Sequence, residues 1–383
     1  MPVTMPDVMP LAGSPADGAA PRRANNMSAT ITEPQQVLSA AVEGSRTPGL
    51  QYRVVNSAGT VFHAELGLAD IRRLIPMGSS TPMMAYSMSK TITAAAVLQL
   101  IGAGRVGLDD PVDIYERRSP YGPRVTIRQL LSHTSGIPNP IPLQWVHLAE
   151  RHAYFDEDTA LTSALAKHQK LAFEPGTKYK YSNIGYWLLG RIIESASRQP
   201  FAAYVSEHVL RPLRITGDDL GYVVPSTTPA AGYLQKYSVM NLLKRFLIAP
   251  EFIGQYAGRW LCIKSHYLNG AAFGGLVGSA LGFAAFLRDQ LLPQSVLFDN
   301  DIKTLFYAQQ QTTGGVPVPM TLGWHIGDLH GIPFYFKEGG GGGFHCEMRL
   351  YPNWGIGTVI MANVTGFDVK HMLNRIDPSF SSP

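Results

Sequence analysis

Cysteine is nearly absent from this chain: Cys262 and Cys346 are the two in 383 residues. They match no metal-ligand spacing and cannot build a disulfide framework, so both read as ordinary buried thiols that suit a reducing compartment. Charge is also scarce, at 16% of residues, and nearly balanced: 32 basic against 28 acidic side chains leave +4, with no basic block. A nucleic-acid or membrane-surface role has no electrostatic footprint in such a sequence. No apolar run reaches the roughly 18 residues of a membrane span. Also missing are a Gly-x-Ser-x-Gly elbow, a His-Glu-x-x-His pair, a phosphate-binding P-loop and a dinucleotide fingerprint. His147 and His152 flank a glutamate at the wrong spacing for a helical metal pair. No cofactor and no metal are expected, and a small-molecule partner is what remains.

What is present is apolar. With 45% hydrophobic and 10% aromatic residues, the chain can fill one large or two medium cores. The first thirty or so residues, rich in Pro, Ala, Gly and Met, have no periodicity and read as a disordered tail. Arg22 and Arg23 precede "ANNMSAT" rather than an apolar stretch, so no signal peptide is read and a cytoplasmic setting is expected. A short helix is predicted near Gln35–Val42, then a hairpin from "LQYRVV" and "TVFHAELG" around "NSAG". The run from Ile92 to Ile101 is apolar on every face, which predicts a helix buried all round and ended by Gly102 and Gly104. Strand patterns return at Leu322–Leu329, Ile332–Lys337, His345–Leu350 and Ile356–Asn363, before a closing helix near Asp368–Ile376.

These patterns imply an α+β chain: an antiparallel sheet shared by both chain ends, with a helical region inserted between them. The expected division is a tail over 1–32, a discontinuous sheet domain over 33–115 and 265–383, and a mostly helical domain over 116–264. Within the last, "SVMNLLKRFLIAPEFIGQYAGRWL" (238–261) sets Leu242, Leu243, Phe246 and Leu247 on one helical face. It reads either as a lid over an apolar acyl pocket or as a core helix.

The chemistry concentrates in "AYSMSKTITAAAVLQLIGAG" (85–104), which holds the chain's single Ser-x-x-Lys, Ser87 to Lys90. Residues i and i+3 share a helix face with Cβ atoms about 5–6 Å apart, so the amine reaches the hydroxyl. Serine needs a base to become a nucleophile, and lysine becomes one only when burial or a second cation lowers its pKa. "EPGTKYKYSNIGYWLLG" adds Tyr181 and Asn183, a phenol and an amide. Tyr-x-Asn recurs at Tyr267 and Tyr351, so the pattern does not choose by itself. "FKEGGGGGFHCEM" adds Lys337 at a strand end, followed by Glu338 and by glycines that permit close backbone approach. Taken alone, that segment also reads as a flexible loop with a solvated Lys-Glu pair.

Together, Ser87-Met88-Ser89-Lys90, Tyr181-Ser182-Asn183 and Lys337-Glu338-Gly339 resemble the three motifs of the serine β-lactamase and penicillin-binding-protein superfamily. "GLADI", "GLDDPVDIY", "LLSHTSGI", "PGTKYKYSN" and "GGFHCEMRLYP" resemble its class C and family VIII esterase branch, over about residues 35 to 375. The resemblance implies a β-lactamase/transpeptidase-like fold and a serine hydrolase working through an acyl-enzyme. It implies Ser87 as nucleophile, Lys90 as proton acceptor, Tyr181 as its partner in general acid–base work and Asn183 as a substrate contact. It also implies Lys337 as the source of an electrostatic field, and backbone N–H groups of Ser87 and Gly340 as oxyanion hole. His133 and Ser135 fall in what the family uses as a structural turn. One departure bears on substrate. Penicillin-recognising members carry Thr or Ser where this chain has Glu338, and a carboxylate there would repel an anionic β-lactam by about 1–4 kcal/mol at 4 Å. The expected substrate is a short- to medium-chain carboxylic ester. The alternatives are an amide, a D-amino-acid peptide or a weakly hydrolysed β-lactam, or a non-catalytic binding role.

Overall fold

The computed structural model describes residues 26–140, 145–224, 228–242 and 248–381. Its centre is a seven-stranded antiparallel sheet built from both ends of the chain. The strands are β1 (Gly49–Asn56), β2 (Thr60–Asp70), β3 (Ile75–Pro76), β4 (His325–Leu329), β5 (Ile332–Gly340), β6 (His345–Tyr351) and β7 (Ile356–Ala362). They lie in the order β4-β5-β6-β7-β1-β2-β3. The seam pairs Tyr52 with Ile360 and Val54 with Thr358, which joins residues some three hundred positions apart. The predicted "NSAG" hairpin forms because the Asn56 side chain accepts from the N–H groups of Ala58 (2.9 Å) and Gly59 (3.0 Å).

Side-chain alternation gives the sheet two buried faces. On β7, Ile360 and Ala362 join a cluster with Leu38 and Ala41 of α1 (Asn26–Glu43) and with Met372 and Leu373 of α6 (Val369–Ile376). Val359 and Met361 join the opposite cluster, with α2 (Ser89–Gly102), α4 (Asn183–Ser197) and α5 (Ala280–Leu291). The helix α3 (Glu157–Lys167), capped by Asp156, packs against α4. A buried polar network ties the seam together. Asp377 accepts from Tyr52 (2.8 Å), Tyr351 (2.8 Å) and Thr358 (3.0 Å), and Arg349 pairs with Glu347 at 2.5 Å.

The expected all-round burial of α2 is what the structure has, from Ser89 through Leu98. Its polar side chains find partners on other elements: Thr93 donates to Ala272 O (2.7 Å), and Ser89 Oγ accepts from the Leu276 N–H (3.0 Å). The helix stops as predicted, with Gly104 at φ +67° and Arg105 N–H closing onto Leu100 O. A helix so enclosed is a rigid mount: truncating one of its leucines would cost about 2–5 kcal/mol.

Three local expectations change. The N-terminal helix begins at Asn26, not near Gln35, and carries Pro34 inside it, so residues 26–32 are helical rather than tail. The helix packs onto β2. The segment 238–261 is not one amphipathic helix: after a turn of helix at Val239–Leu242 it forms strands at Ile253–Ala257 and, ending just beyond it, Trp260–Ile263. With Gly232–Gln235 these make a three-stranded sheet inside the region expected to be mostly helical. Gly258, at φ +59°, turns the hairpin between them. Leu243, Phe246 and Leu247 of the expected apolar face lie outside the described residues, and Leu242 is exposed.

Candidate active site

Three elements converge on Ser87. The first is the turn Tyr86–Met88, which enters α2 directly. Tyr86 adopts φ +44°, a costly conformation for an aromatic residue. Its hydroxyl donates to Gly342 O at 2.7 Å and lies 3.2 Å from His266 Nε2, which pins the turn. Ser87 is thereby held at the mouth of a helix whose N-terminal N–H groups favour negative charge.

The second is the start of α4. Ser182 is its N-cap, accepting from the Gly185 N–H at 3.1 Å. The cap fixes Tyr181 just outside the helix and Asn183 as its first residue. Tyr181 donates to Ser87 Oγ at 2.7 Å.

The third is the end of β5. A side chain at Gly339 would put Cβ 2.2 Å from Ala85 O and 3.1 Å from Ser87 N. Only glycine lets this strand lie against the Ser87 turn. The next residue, Gly340, lines the same cavity as Ser87.

Lys90 is fully buried. Its Nζ lies 3.0 Å from Ser87 Oγ, 2.8 Å from Asn183 Oδ1 and 2.5 Å from Phe273 O. Burial, and then the neighbouring Lys337, hold its pKa well below the usual lysine range. A neutral amine has two N–H groups and one lone pair. The two carbonyl oxygens take the N–H groups, and the lone pair is left for the Ser87 hydroxyl. Burial raises the Tyr181 phenol, which stays protonated and supplies the second hydrogen bond to Oγ. Asn183, expected on the acyl side of a substrate, turns its Oδ1 to Lys90 while still lining the cavity.

Lys337 faces the same cluster, its Nζ 5.4 Å from the Tyr181 ring centroid and 5.7 Å from that of Tyr186. It is completely buried, has no hydrogen-bond partner among the described residues, and burial lowers its pKa to about 7. Glu338 points the other way along the strand and pairs with His345, Oε1 to Nε2 at 2.6 Å. That hydrogen bond holds its carboxyl below the ordinary range.

The cavity beside Ser87 measures about 690 Å³, and Phe252, Ile263, Leu268, Phe273 and Phe336 give it an apolar wall. The segment weighed as a lid thus contributes Phe252 from a short helical turn. Two neighbours were not singled out from sequence. His325 accepts or donates with Tyr179 at 3.1 Å and stacks on Phe336. His266 reaches Tyr86. A lone histidine in a strand pattern carries no signal that separates it from a core residue. His133, read as part of a structural turn, has φ +58° and accepts the Ser182 N–H at 3.2 Å. Its ring lies 4.3 Å from that of Tyr181, so the turn also buttresses the phenol. In the same turn, Ser135 Oγ accepts from the Ile137 N–H. Of the other Tyr-x-Asn tyrosines, Tyr351 is in the Asp377 network and Tyr267 accepts the Val224 N–H at 2.6 Å. No group of metal ligands occurs among the described residues, and no helix there is long and apolar enough to cross a membrane.

The model of the Beta-lactamase family matches residues 34–377. The chain belongs to the β-lactamase family. Protein flp of Staphylococcus aureus (strain MW2) is 27% identical over 199 residues, 48% of this chain and 39% of that protein. A putative D-alanyl-D-alanine carboxypeptidase of Escherichia coli O157:H7 is 32% identical over 166 residues, 41% of this chain and 36% of the relative. The chain thus aligns with less than half the length of these relatives. Among solved structures, the D-amino acid amidase from Ochrobactrum anthropi SV3 superposes with a TM-score of 0.76 at 18% identity, over 92% of this chain and 98% of the amidase. The octameric penicillin-binding protein homologue from Pyrococcus abyssi gives 0.69 at 22% identity, over 89% of this chain and 73% of that one. At these identities the likeness is one of fold, and for the β-lactamase-family chain it is an α+β sheet flanked by helices.

Proposed function

We propose that this β-lactamase-family chain is a serine hydrolase that works through an acyl-enzyme, with carboxylic esters of short to medium acyl chain as substrates. The observation that carries the proposal is the pair of contacts on Ser87 Oγ: the Nζ of the buried Lys90 lies 3.0 Å away, and the Tyr181 hydroxyl donates to Oγ at 2.7 Å. Lys90 accepts the hydroxyl proton as Oγ attacks the ester carbonyl. The N–H groups of Ser87 and Gly340 receive the oxyanion. Collapse breaks the ester C–O bond, and the proton returns from Lys90, through the Lys90–Tyr181 pair, to the departing alkoxide. Water then enters and gives a proton to the same pair as its oxygen attacks the acyl carbonyl; collapse breaks the Ser87 Oγ–acyl bond, the proton returns to Oγ, and the acid is released. Asn183 and Phe273 O hold the amine in place throughout, and burial, helped by Lys337, keeps it from holding a proton at rest. The apolar wall of Phe252, Leu268 and Phe273 suits an alkyl acyl chain.

A second reading, hydrolysis of amides, is favoured by Glu338, which suits substrates bearing a free amine better than the anionic β-lactams. A binding or scaffolding role is disfavoured because an unpartnered buried lysine beside a lysine–serine pair costs stability for no structural return. The test is hydrolysis of p-nitrophenyl butyrate by wild type and by Ser87→Ala. Turnover lost with the hydroxyl supports the proposal. Equal turnover in both, or none in either, overturns the ester reading.

A further inference from the structure

The wall of the 690 Å³ cavity carries a single carboxylate, Glu338, and no lysine or arginine among the described residues. Its histidines, His266 and His325, are both shifted toward the neutral form by burial. Glu338 is therefore the one ionised side chain on the wall of an otherwise apolar and neutral chamber. Its side chain is 47% exposed. Oε1 is taken by His345, while Oε2 has no hydrogen-bond donor among the described residues. The residue after it, Gly339, lies against the backbone of Ser87, and Glu338 and Ser87 line the same cavity.

On the neighbouring strand the acid has one partner, His345, which engages Oε1 alone. Glu338 is directly opposite Glu347 on β6, and like charges facing across an antiparallel pair destabilise it. Glu347 is buried, its own pKa raised, and its paired arginine is Arg349. The hydrogen bond from His345, with the charges of His345, Lys370 and Arg349, nonetheless holds the Glu338 carboxyl below the ordinary range, so it stands ionised at the cavity.

We infer that Glu338 is an ammonium-recognition site, and that the substrates of this chain carry a protonated amine a few atoms from the scissile carbonyl. The ring of Phe336, on the same face two residues earlier, gives the cation an aromatic surface. The inference rests on the acyl-transfer reading and narrows its substrate class from esters at large to esters or amides of amino-bearing acids. Free acids and anionic side chains are excluded by the same carboxylate.

The test uses substrates that differ in one group: ethyl 3-aminopropanoate, its neutral isostere ethyl butanoate, and monoethyl succinate as the anion. Hydrolysis is followed by pH-stat titration in wild type and Glu338→Gln, with thermal melts to confirm that both are folded. The wild type is expected to favour the ammonium ester over ethyl butanoate by about tenfold in kcat/KM, as for a half-exposed ion pair. The anion should be the poorest of the three. In Glu338→Gln the cationic preference should fall to near parity. A preference unchanged by the substitution, or a wild type that favours the neutral or anionic ester, overturns the inference. Binding of the two isosteres to Ser87→Ala, read by saturation-transfer NMR, separates this claim from the catalytic one. Preferential binding of the ammonium ester without turnover in wild type would sustain the site and sink the hydrolase reading. Turnover in wild type without preferential binding would do the reverse.

Discussion

Replacing Lys337 with methionine should make the protein more stable at neutral pH, and the gain should vanish in alkali. Lys337 is fully buried, its Nζ has no partner among the described residues, and its pKa falls to about 7. In the unfolded chain the same amine titrates near 10.4, so at pH 7 folding must strip or bury most of a proton's charge. At about 1.36 kcal/mol per unit of displacement, the cost at pH 7 is about 4 kcal/mol. Methionine keeps the unbranched length and has no charge to desolvate. The cation's contacts with the Tyr181 and Tyr186 rings are already contained in the displaced pKa, so the stabilisation expected is about 4 kcal/mol. The sign with pH follows from the depressed pKa: the unfolded state binds more protons between pH 7 and about 10.4, so wild-type stability rises across that window. The methionine variant should rise less steeply, the two converging near the top of it. Urea denaturation at several pH values from 6 to 10 measures both curves. A variant that is less stable at pH 7, or a pair of curves that stay parallel throughout, would refute the reasoning.

Other perturbations test the site directly. Lys90→Ala should lower kcat for p-nitrophenyl butyrate by about 10²–10⁴-fold, the usual worth of a general base, while circular dichroism shows an intact fold. Gly339→Ala should fold but lose on the order of 100-fold in activity, because its Cβ, 2.2 Å from Ala85 O, must push the strand or the Ser87 turn aside by about an ångström. Its melting temperature and kcat/KM together check this, and near-normal activity would show that the strand does not set the nucleophile's position. Glu338→Thr should raise kcat/KM for a cephalosporin such as nitrocefin if charge is what excludes β-lactams. No gain would place the barrier in the shape of the cavity.

Much of this was legible from sequence where one local rule sufficed. The four C-terminal strands read from alternation match β4 to β7 to within three residues, because each is bounded by turn residues: His330 and Gly331 at positive φ, and Pro352 opening a tight turn. The all-apolar run of α2 announced its burial. The motif residues Ser87, Lys90, Tyr181 and Lys337 do converge, though they come from three separate elements. What stayed hidden depends on long-range pairing. The strands at 253–257 and 260–263 are short, and their partner at 232–235 is what makes them a sheet. The carbonyl of Phe273 on Lys90 is a backbone contact, for which no side chain gives notice. The pairing of Glu338 with His345 required β5 and β6 in register, with His345 opposite Gly340.

The central claim is that Ser87 carries the acyl group and that Lys90 puts it there. Acid-quenched mixtures with p-nitrophenyl butyrate, digested and read by mass spectrometry, test it most directly. The account predicts one butyryl group on the peptide containing Ser87 in wild type, none in Ser87→Ala, and labelling slowed by about a hundredfold or more in Lys90→Ala. A butyryl group on another residue, or full acylation without Lys90, would contradict it.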